Sequence, residues 1–253
     1  MCGFSDAMEI AIVSDIHGNL TALESILSEI READEVVCLG DVAASGPQPS
    51  ETLSFLRKVN WRLVLGNTDE TLSKQGQENL SNLKMPKDDK RKMLSLHQWT
   101  ASQINGADRK FLAGFSHTIE VEAGGRSLLC YHGSPRSNTE KIMPTTSIIR
   151  LSEIFSGRSA SIYAGGHTHE QMVRKYGPSL VINPGSVGLP FFVDADGTIR
   201  NPIWAEYAVV TISTGALKVD LRRTRYSHAD LKEAVRSSGM PNSTWWLRDW
   251  VKT

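Results

Sequence analysis

Seven side chains that could bind metal follow short apolar runs along this chain. Asp15 and His17 come directly after the apolar run from Glu9 to Ser14, and later runs end in the five others, Asp41, Asn67, His132, His167 and His169. Asp15 and Asp41 are 26 residues apart, and Asp41 and Asn67 are again 26 apart. In open α/β sheets, ligands bind at the carboxyl ends of the strands. The spacing therefore predicts that these side chains meet at one edge of a sheet.

The chemistry of the set predicts a metal centre. Carboxylate, amide and imidazole donors without cysteine favour Mn, Fe, Zn, Ni or Co over calcium or a soft metal. Seven ligands are too many for one tetrahedral ion but suit two divalent ions that share a bridging carboxylate. Such pairs clamp a phosphoryl group and generate a hydroxide nucleophile near neutral pH.

The elements that must position these residues follow a βα pattern. Apolar residues recur at helical spacing between Leu20 and Ile30, and Asn19 is placed to cap that helix. Strand-like and helical stretches then alternate to residue 67, which indicates parallel strands. Residues 70–115 are polar and helical, and strands resume after them, with a hairpin predicted at the turn "EAGG". We therefore predict an α/β (α+β) fold with mixed parallel and antiparallel sheets.

Composition excludes some classes of function. The 253 residues carry zero formal net charge, so no basic field indicates binding to a nucleic-acid duplex. Neither a signal peptide nor a long apolar span occurs, which predicts a soluble, cytoplasmic protein without membrane association. Cys38 and Cys130 lie in apolar runs and are expected to pack in the core. We expect a small phosphate-ester substrate as the partner, and the composition allows a homo-oligomer.

The motifs "DIHGN", "GD", "GNTD", "YHGSP" and "GGHTH" resemble those of the calcineurin-like metallophosphoesterase superfamily. Together with "INPGSVGLP" and other segments, they are similar to its compact bacterial branch over most of residues 8–222. The resemblance implies a four-layer β-sandwich flanked by helices. It implies one domain over 1–253, with a helical insertion at about 70–115 and a C-terminal helix and Trp-rich tail at about 226–253.

The resemblance also implies a ligand set. One ion would be bound by Asp15, His17, Asp41 and His169, and the other by Asp41, Asn67, His132 and His167, with Asp41 bridging. It implies a metal-dependent phosphoric ester hydrolase in which the residues nearest the reaction are Asp15, His17, Asp41, Asn67 and His132.

Two departures from the family pattern bear on the substrate. Position 68 is threonine where the family commonly has a histidine beside the phosphate, and a hydroxyl cannot supply a proton near pH 7. The second motif reads "GDVAASGP" and lacks the arginine that holds a dianionic phosphate in related protein phosphatases. Both favour phosphodiesters over monoesters. Arg136 could partly replace that arginine, so the predicted substrate-binding residues are Asn67, Thr68 and Arg136.

Several alternatives stay open at this stage. A phosphomonoesterase or a catalytically weak binding scaffold would fit the same fold, since a eukaryotic retromer subunit resembles this branch. Asp69 either orients a ligand or caps a helix, and the insertion either borders the substrate entrance or packs on the flank of the sheet. The remaining candidates are interpreted as structural, namely Asn19, Ser186, His97, His117, His228 and the tail residues Trp245, Trp246 and Trp250.

Overall fold

The centre of the fold is a pair of five-stranded sheets. The computed structural model describes residues 7–76 and 86–251. The first sheet has the order β12-β11-β1-β2-β3 and is built from β1 (Met8–Val13), β2 (Glu35–Cys38), β3 (Arg62–Leu63), β11 (Trp204–Ile212) and β12 (Leu217–Arg225). β1, β2 and β3 are parallel, as predicted from the βα pattern, whereas β11 and β12 add an antiparallel edge.

The second sheet is also mixed. Its order is β4-β5-β6-β8-β7, and its strands are β4 (Thr118–Ala123), β5 (Arg126–Tyr131), β6 (Ile162–Ala164), β7 (Met172–Tyr176) and β8 (Ser179–Asn183). The predicted hairpin joins β4 to β5, and its turn places Gly124 and Gly125 at φ of 52° and 74°. A side chain is disfavoured in that left-handed region, which explains the two glycines. A small third sheet joins β9 (Phe192–Val193), β10 (Ile199–Pro202) and β13 (Trp250–Val251).

Eight helices are described around these sheets. They are α1 (Leu20–Ile30), α2 (Pro49–Leu56), α3 (Asn67–Ser73), α4 (Lys87–Gln103), α5 (Gly106–Ala113), α6 (Ile148–Ile154), α7 (His228–Ser238) and α8 (Ser243–Leu247). The Asn19 side chain caps α1 by accepting from the backbone N–H of Ala22, as predicted. Within the described residues, no helix combines the length and the apolar character needed to cross a bilayer.

The alternation of side chains along β1 explains why its sequence is apolar without a break. Ile10 and Ile12 point into the core between the two sheets, while Ala11 and Val13 point toward the helices that cover the first sheet. Helix α6 covers the outer face of the second sheet. The resulting order of layers is helix, sheet, sheet, helix, which confirms the predicted four-layer sandwich. Cys38 and Cys130 are both buried, and burial raises the pKa of both thiols.

A separate cluster lies at one side of the sandwich. Leu96 from α4, Leu231 from α7, Trp246 from α8 and Trp250 from β13 are buried together. The tryptophans thus pack as a plug on the domain, as interpreted from the sequence, and they do so against α4. The predicted insertion contains most of α3 together with α4 and α5, while its residues 77–85 lie outside the described residues.

Candidate metal centre

The seven predicted ligands meet at the carboxyl ends of the strands. Asp15 and His17 follow β1, Asp41 follows β2, Asn67 begins α3, His132 follows β5, and His167 and His169 follow β6. The six carboxylate and imidazole residues form two groups in which candidate ligand atoms lie within 4.8 Å of one another. One group is Asp15, His17 and His169, and the other is Asp41, His132 and His167.

Most of these residues have an unusual backbone conformation. Asp15, His17, Asp41, His167 and His169 all have φ between 50° and 66°. This left-handed region is costly for residues with a Cβ, and such residues cluster at functional sites. The chain also approaches itself closely here, because a Cβ on Gly66 would lie 2.1 Å from Asp41 Oδ1. The strand ends are therefore folded tightly around the ligand atoms.

The first group contains a buried oxygen without a partner. Asp15 Oδ1 lies 3.2 Å from His169 Nε2 and 3.7 Å from His17 Nε2, and it has no hydrogen-bond partner among the described residues. Its other oxygen accepts from Ser14 Oγ at 2.5 Å and from the backbone N–H of His167 at 3.0 Å. One carboxylate oxygen is thus fixed by hydrogen bonds, and the other is left facing two imidazoles.

Backbone carbonyl groups fix the orientation of three imidazole rings. The Nδ1 atoms lie 2.9, 2.8 and 2.7 Å from backbone carbonyl oxygens, in the pairs His17 with Ala44, His132 with Leu39 and His169 with Leu189. A carbonyl oxygen only accepts, so each Nδ1 donates, and each ring in its neutral form presents a lone pair at Nε2. His17 Nε2 and His169 Nε2 are only 3.1 Å apart. Two facing acceptors beside an unpartnered carboxylate oxygen suit a bound cation.

Asp41 lies between the two groups. Its Oδ2 atom is 3.4 Å from His132 Nε2 and 4.0 Å from His17 Nε2, while Oδ1 accepts from the backbone N–H of Thr68 at 2.9 Å. Asn67 Oδ1 is 3.1 Å from His132 Nε2. One oxygen of Asp41 therefore faces a histidine of each group, which is the placement required of a bridging ligand.

Electrostatics hold the two carboxylates and His167 of this cluster in the protonation state that binds metal. Burial raises the pKa of Asp15 and of Asp41, but the imidazoles of His169 and His132 hold both values well below the ordinary range. Burial lowers the pKa of His132, yet the Asp41 carboxylate raises it to about 9. Burial, together with the charge on His132, lowers the pKa of His167 to about 4. The carboxylates are thus ionised and His167 is neutral, as metal ligation requires, whereas His132 would release its proton when a metal binds.

Two further residues tie the ligand loops together. The Asp69 carboxylate accepts from the backbone N–H groups of Asp41, Val42 and Gly66 at 2.7, 2.9 and 3.2 Å. Asp69 therefore both caps α3 and fixes the backbone at Asp41, so the two roles left open by the sequence coexist. Ser186 Oγ donates to the Asp15 carbonyl at 2.7 Å, which agrees with the structural role expected for it.

A cavity of about 460 Å³ opens beside the metal ligands. His17, Asp41, Asn67 and Thr68 line one side, together with His167 and His169. The opposite side is formed by α4, the β9–β10 region and the tryptophans of the tail. The insertion thus borders the site through α4, which is one of the two alternatives for that segment. The Thr68 hydroxyl is buried without a hydrogen-bond partner in the described part of the chain.

His97 is a site residue that sequence reasoning missed. Its burial on α4 fits a structural, helix-packing role and not a surface one, and it also lines this cavity, with Nε2 3.4 Å from Ser45 Oγ. No motif surrounds His97, and its placement depends on how α4 docks. The cavity itself, unlike His97, has a signal in the sequence. The apolar run "GLPFFV" follows the ligand loops, and two of its residues, Leu189 and Phe191, line the cavity.

Arg136 lies in a second pocket, of about 450 Å³, which His132 also lines. Its guanidinium donates to the Glu140 carboxylate through Nε at 2.8 Å and Nη2 at 2.6 Å, and to the Glu153 carbonyl at 3.1 Å. A phosphate would have to compete with Glu140 for this group. The role of Arg136 in substrate binding stays a prediction.

With this geometry in place, comparison with known proteins defines the class. Residues 8–215 match the model of the calcineurin-like phosphoesterase superfamily domain, so the chain belongs to that superfamily. Family membership and the two ligand groups support a metal-dependent hydrolase of phosphate esters.

Three individual proteins are similar to this chain. An uncharacterized protein of Methanocaldococcus jannaschii is 26% identical over 257 residues, covering 94% of this chain and 95% of that protein. A symmetrical bis(5'-nucleosyl)-tetraphosphatase of Erwinia tasmaniensis is 39% identical over 67 residues, 24% of each chain. The crystal structure of a metallophosphoesterase from Sphaerobacter thermophilus aligns with a TM-score of 0.70 at 24% identity, covering 96% of this chain and 98% of that one, and shows the shared fold.

Proposed function

We propose that this protein is a phosphodiesterase that uses two divalent transition-metal ions. The observation that carries the proposal is the position of Asp41, whose Oδ2 faces His17 of one ligand group and His132 of the other. Two three-residue groups joined by a shared carboxylate are what a pair of ions about 3.5–4 Å apart requires. Donor chemistry favours Mn, Fe, Ni, Zn or Co.

Each residue of the cluster has a distinct task in this proposal. Asp15, His17 and His169 would hold one ion, Asn67, His132 and His167 would hold the other, and Asp41 would serve both. The ions would hold the phosphate oxygens and supply a nucleophile from water near neutral pH. The backbone carbonyl groups behind His17, His132 and His169 fix each ring so that Nε2 would be free to bind an ion.

The preference for diesters rests on three local features. Position 68 is a threonine, which cannot protonate a leaving group near pH 7. The loop that follows Asp41 carries no arginine, and Arg136 is engaged with Glu140. A partial relative is named for a bis-nucleosyl tetraphosphate, a molecule whose phosphate chain is substituted at both ends. The first favours an ester with a good leaving group, and the other two favour a phosphate that carries fewer charges than a monoester dianion.

The test compares bis(p-nitrophenyl) phosphate with p-nitrophenyl phosphate on protein reconstituted with Mn, Ni or Zn. We expect about two equivalents of metal by elemental analysis and faster turnover of the diester. Faster turnover of the monoester would contradict the diester preference, and a stoichiometry of one metal would contradict the binuclear centre. Two bound equivalents without turnover of either ester would favour the binding scaffold instead.

A further inference from the structure

The cavity beside the metal ligands has an apolar side that the proposed chemistry does not use. Its lining includes Leu96 from α4, Leu189, Phe191 and Ile199 around the small sheet, and Trp245 and Trp250 from the tail. Phe191 and Ile199 keep 36% and 57% of their surface exposed although they are large and apolar. Clustered apolar exposure of this kind marks a binding surface more often than isolated exposure does.

The indole N–H groups of Trp245 and Trp246 are already satisfied by the protein. Trp245 Nε1 donates to Asp89 Oδ1 at 2.9 Å, and Trp246 Nε1 donates to the Ser45 carbonyl at 2.7 Å. What the indoles offer a ligand is therefore ring surface. Aromatic ring surface is best used by another planar π-system, and stacking of a base on aromatic side chains is worth about 1–3 kcal/mol.

A few polar side chains interrupt this apolar lining. Ser45, His97, Asn201 and Asp249 reach the same cavity; the Asn201 amide also donates to the Pro190 carbonyl at 2.9 Å, and Asp249 pairs with Arg248 at 3.0 Å. Mostly apolar walls with a small number of polar groups are typical of small-molecule sites, and about 460 Å³ falls within their usual range of roughly 300–1,000 Å³. Hydrogen-bonding groups beside ring surface suit a heteroaromatic ring, which carries ring nitrogens and carbonyl groups, better than a plain hydrocarbon.

We infer that the cavity binds a planar heteroaromatic group, of purine or pyrimidine size, that is carried by the phosphate ester. The inference rests on the proposed function, because it takes the metal ligands as the anchor for the phosphate. The ring lies against the indoles of the tail and the side chains of α4, while the phosphate lies at the cluster around Asp41. The substrate class is then a nucleoside-bearing phosphodiester.

The test is a binding measurement that needs no turnover. The methyl esters of adenosine 5'-monophosphate and of ribose 5-phosphate are phosphodiesters with a poor leaving group, present the same phosphate on the same sugar and differ in the base. Calorimetry on the metal-loaded protein should show at least about tenfold tighter binding of the nucleotide. Equal dissociation constants, or no binding of either ligand, would overturn the inference.

Two variants test whether the tighter binding of the base-carrying ligand arises in this cavity. Trp245→Ala should reduce the ratio of the two dissociation constants to about threefold or less, and Ile199→Ser should reduce it by a smaller factor. The matched controls are Trp61→Ala, where the indole packs on Phe55, and Ile149→Ser, where the side chain is 74% exposed on α6. Both controls should keep the full ratio. An unchanged ratio in Trp245→Ala and in Ile199→Ser would place the base elsewhere and overturn the inference.

Failure of this inference is distinguishable from failure of the proposed function. If bis(p-nitrophenyl) phosphate is cleaved but the nucleotide ester binds no better than the ribose 5-phosphate ester, only the inference fails. If the nucleotide binds preferentially but the diester is not cleaved, the inference stands as a binding property and the proposed function fails.

Discussion

The two pockets that flank the metal ligands differ in how their polar groups are used. On the His132 side, polar and charged groups are paired with one another. Arg136 and Arg150 both contact Glu140, and the Asn138 amide donates to the Glu70 carboxylate at 2.8 Å. On the α4 side, the walls are mostly apolar, and the Thr68 hydroxyl among them has no hydrogen-bond partner in the described residues.

This difference shows that a pocket rich in charge is not necessarily the one best suited to a ligand. In the polar pocket, a ligand phosphate must displace Glu140 from Arg136, and breaking a satisfied charge pair costs free energy. In the apolar cavity, a ring would cover surface that the described residues leave exposed, so its burial would add to binding. We therefore expect selectivity to arise on the α4 side and the polar pocket to serve mainly as structure.

The largest expected effect comes from removing the carboxylate that both ligand groups share. Asp41→Asn keeps an oxygen for the Thr68 N–H but removes the charge that faces His17 and His132. Metal content should fall to about one equivalent or less, and diester turnover should fall more than about 100-fold, beyond what loss of an outer-sphere partner costs.

The control is Asp220→Asn, which removes a carboxylate from β12 that pairs with Lys218 at the surface. It should leave both metal content and turnover unchanged. Two equivalents of metal in Asp41→Asn protein would rule out a bridging role for Asp41. The ligands on the two sides of the cluster would then bind their ions independently.

Much of this arrangement could be predicted from the sequence because strand ends are local features. The apolar run before Asp15 and the repeated spacing to Asp41 and Asn67 follow directly from one βα unit. The position of His97 could not be predicted, since it depends on α4 packing against Trp246 and Trp250 across about 150 residues of chain. The short α6 and the two-residue strand β9 also lack enough periodicity to be recognised.

A second prediction concerns position 68, which lines the cavity and carries no side chain that can act as a general acid. Thr68→His would place an imidazole beside Asn67, where the family commonly has one, and it replaces a hydroxyl that makes no hydrogen bond in the described residues. Turnover of esters with poor leaving groups should rise by up to about 10²-fold, because a general acid would then assist departure. Aryl esters should change much less.

Thr68→Val is the matched variant, since it removes the hydroxyl and adds no titratable group. It should bring no gain with either class of ester. If Thr68→His also brings no gain with alkyl leaving groups, protonation does not limit the rate, and the fit of the substrate in the apolar cavity becomes the limiting factor.

The smallest expected effect tests whether the polar pocket is structural. Arg136 is the main cause that lowers the pKa of Glu140 from 4.5 to about 2, with help from Ser134 and Arg150. A carboxylate whose pKa is lower in the folded state stabilises the fold above its unfolded pKa and loses that contribution as pH falls. Glu140→Gln should therefore lower the free energy of unfolding at pH 7 by about 1 kcal/mol or less, since both arginines are half-exposed. In urea titrations the difference in unfolding free energy between Glu140→Gln and the unmodified protein should shrink below pH 4.5 and vanish near pH 2.

Glu233→Gln, which breaks an exposed pair with Arg236 on α7, is the control for a surface charge away from the pocket. Diester turnover should change less than about threefold in Glu140→Gln, because Arg136 is not needed to hold a diester. A large gain in monoester turnover would instead show that Glu140 restrains a phosphate-binding arginine, and the polar pocket would then take part in selecting the substrate.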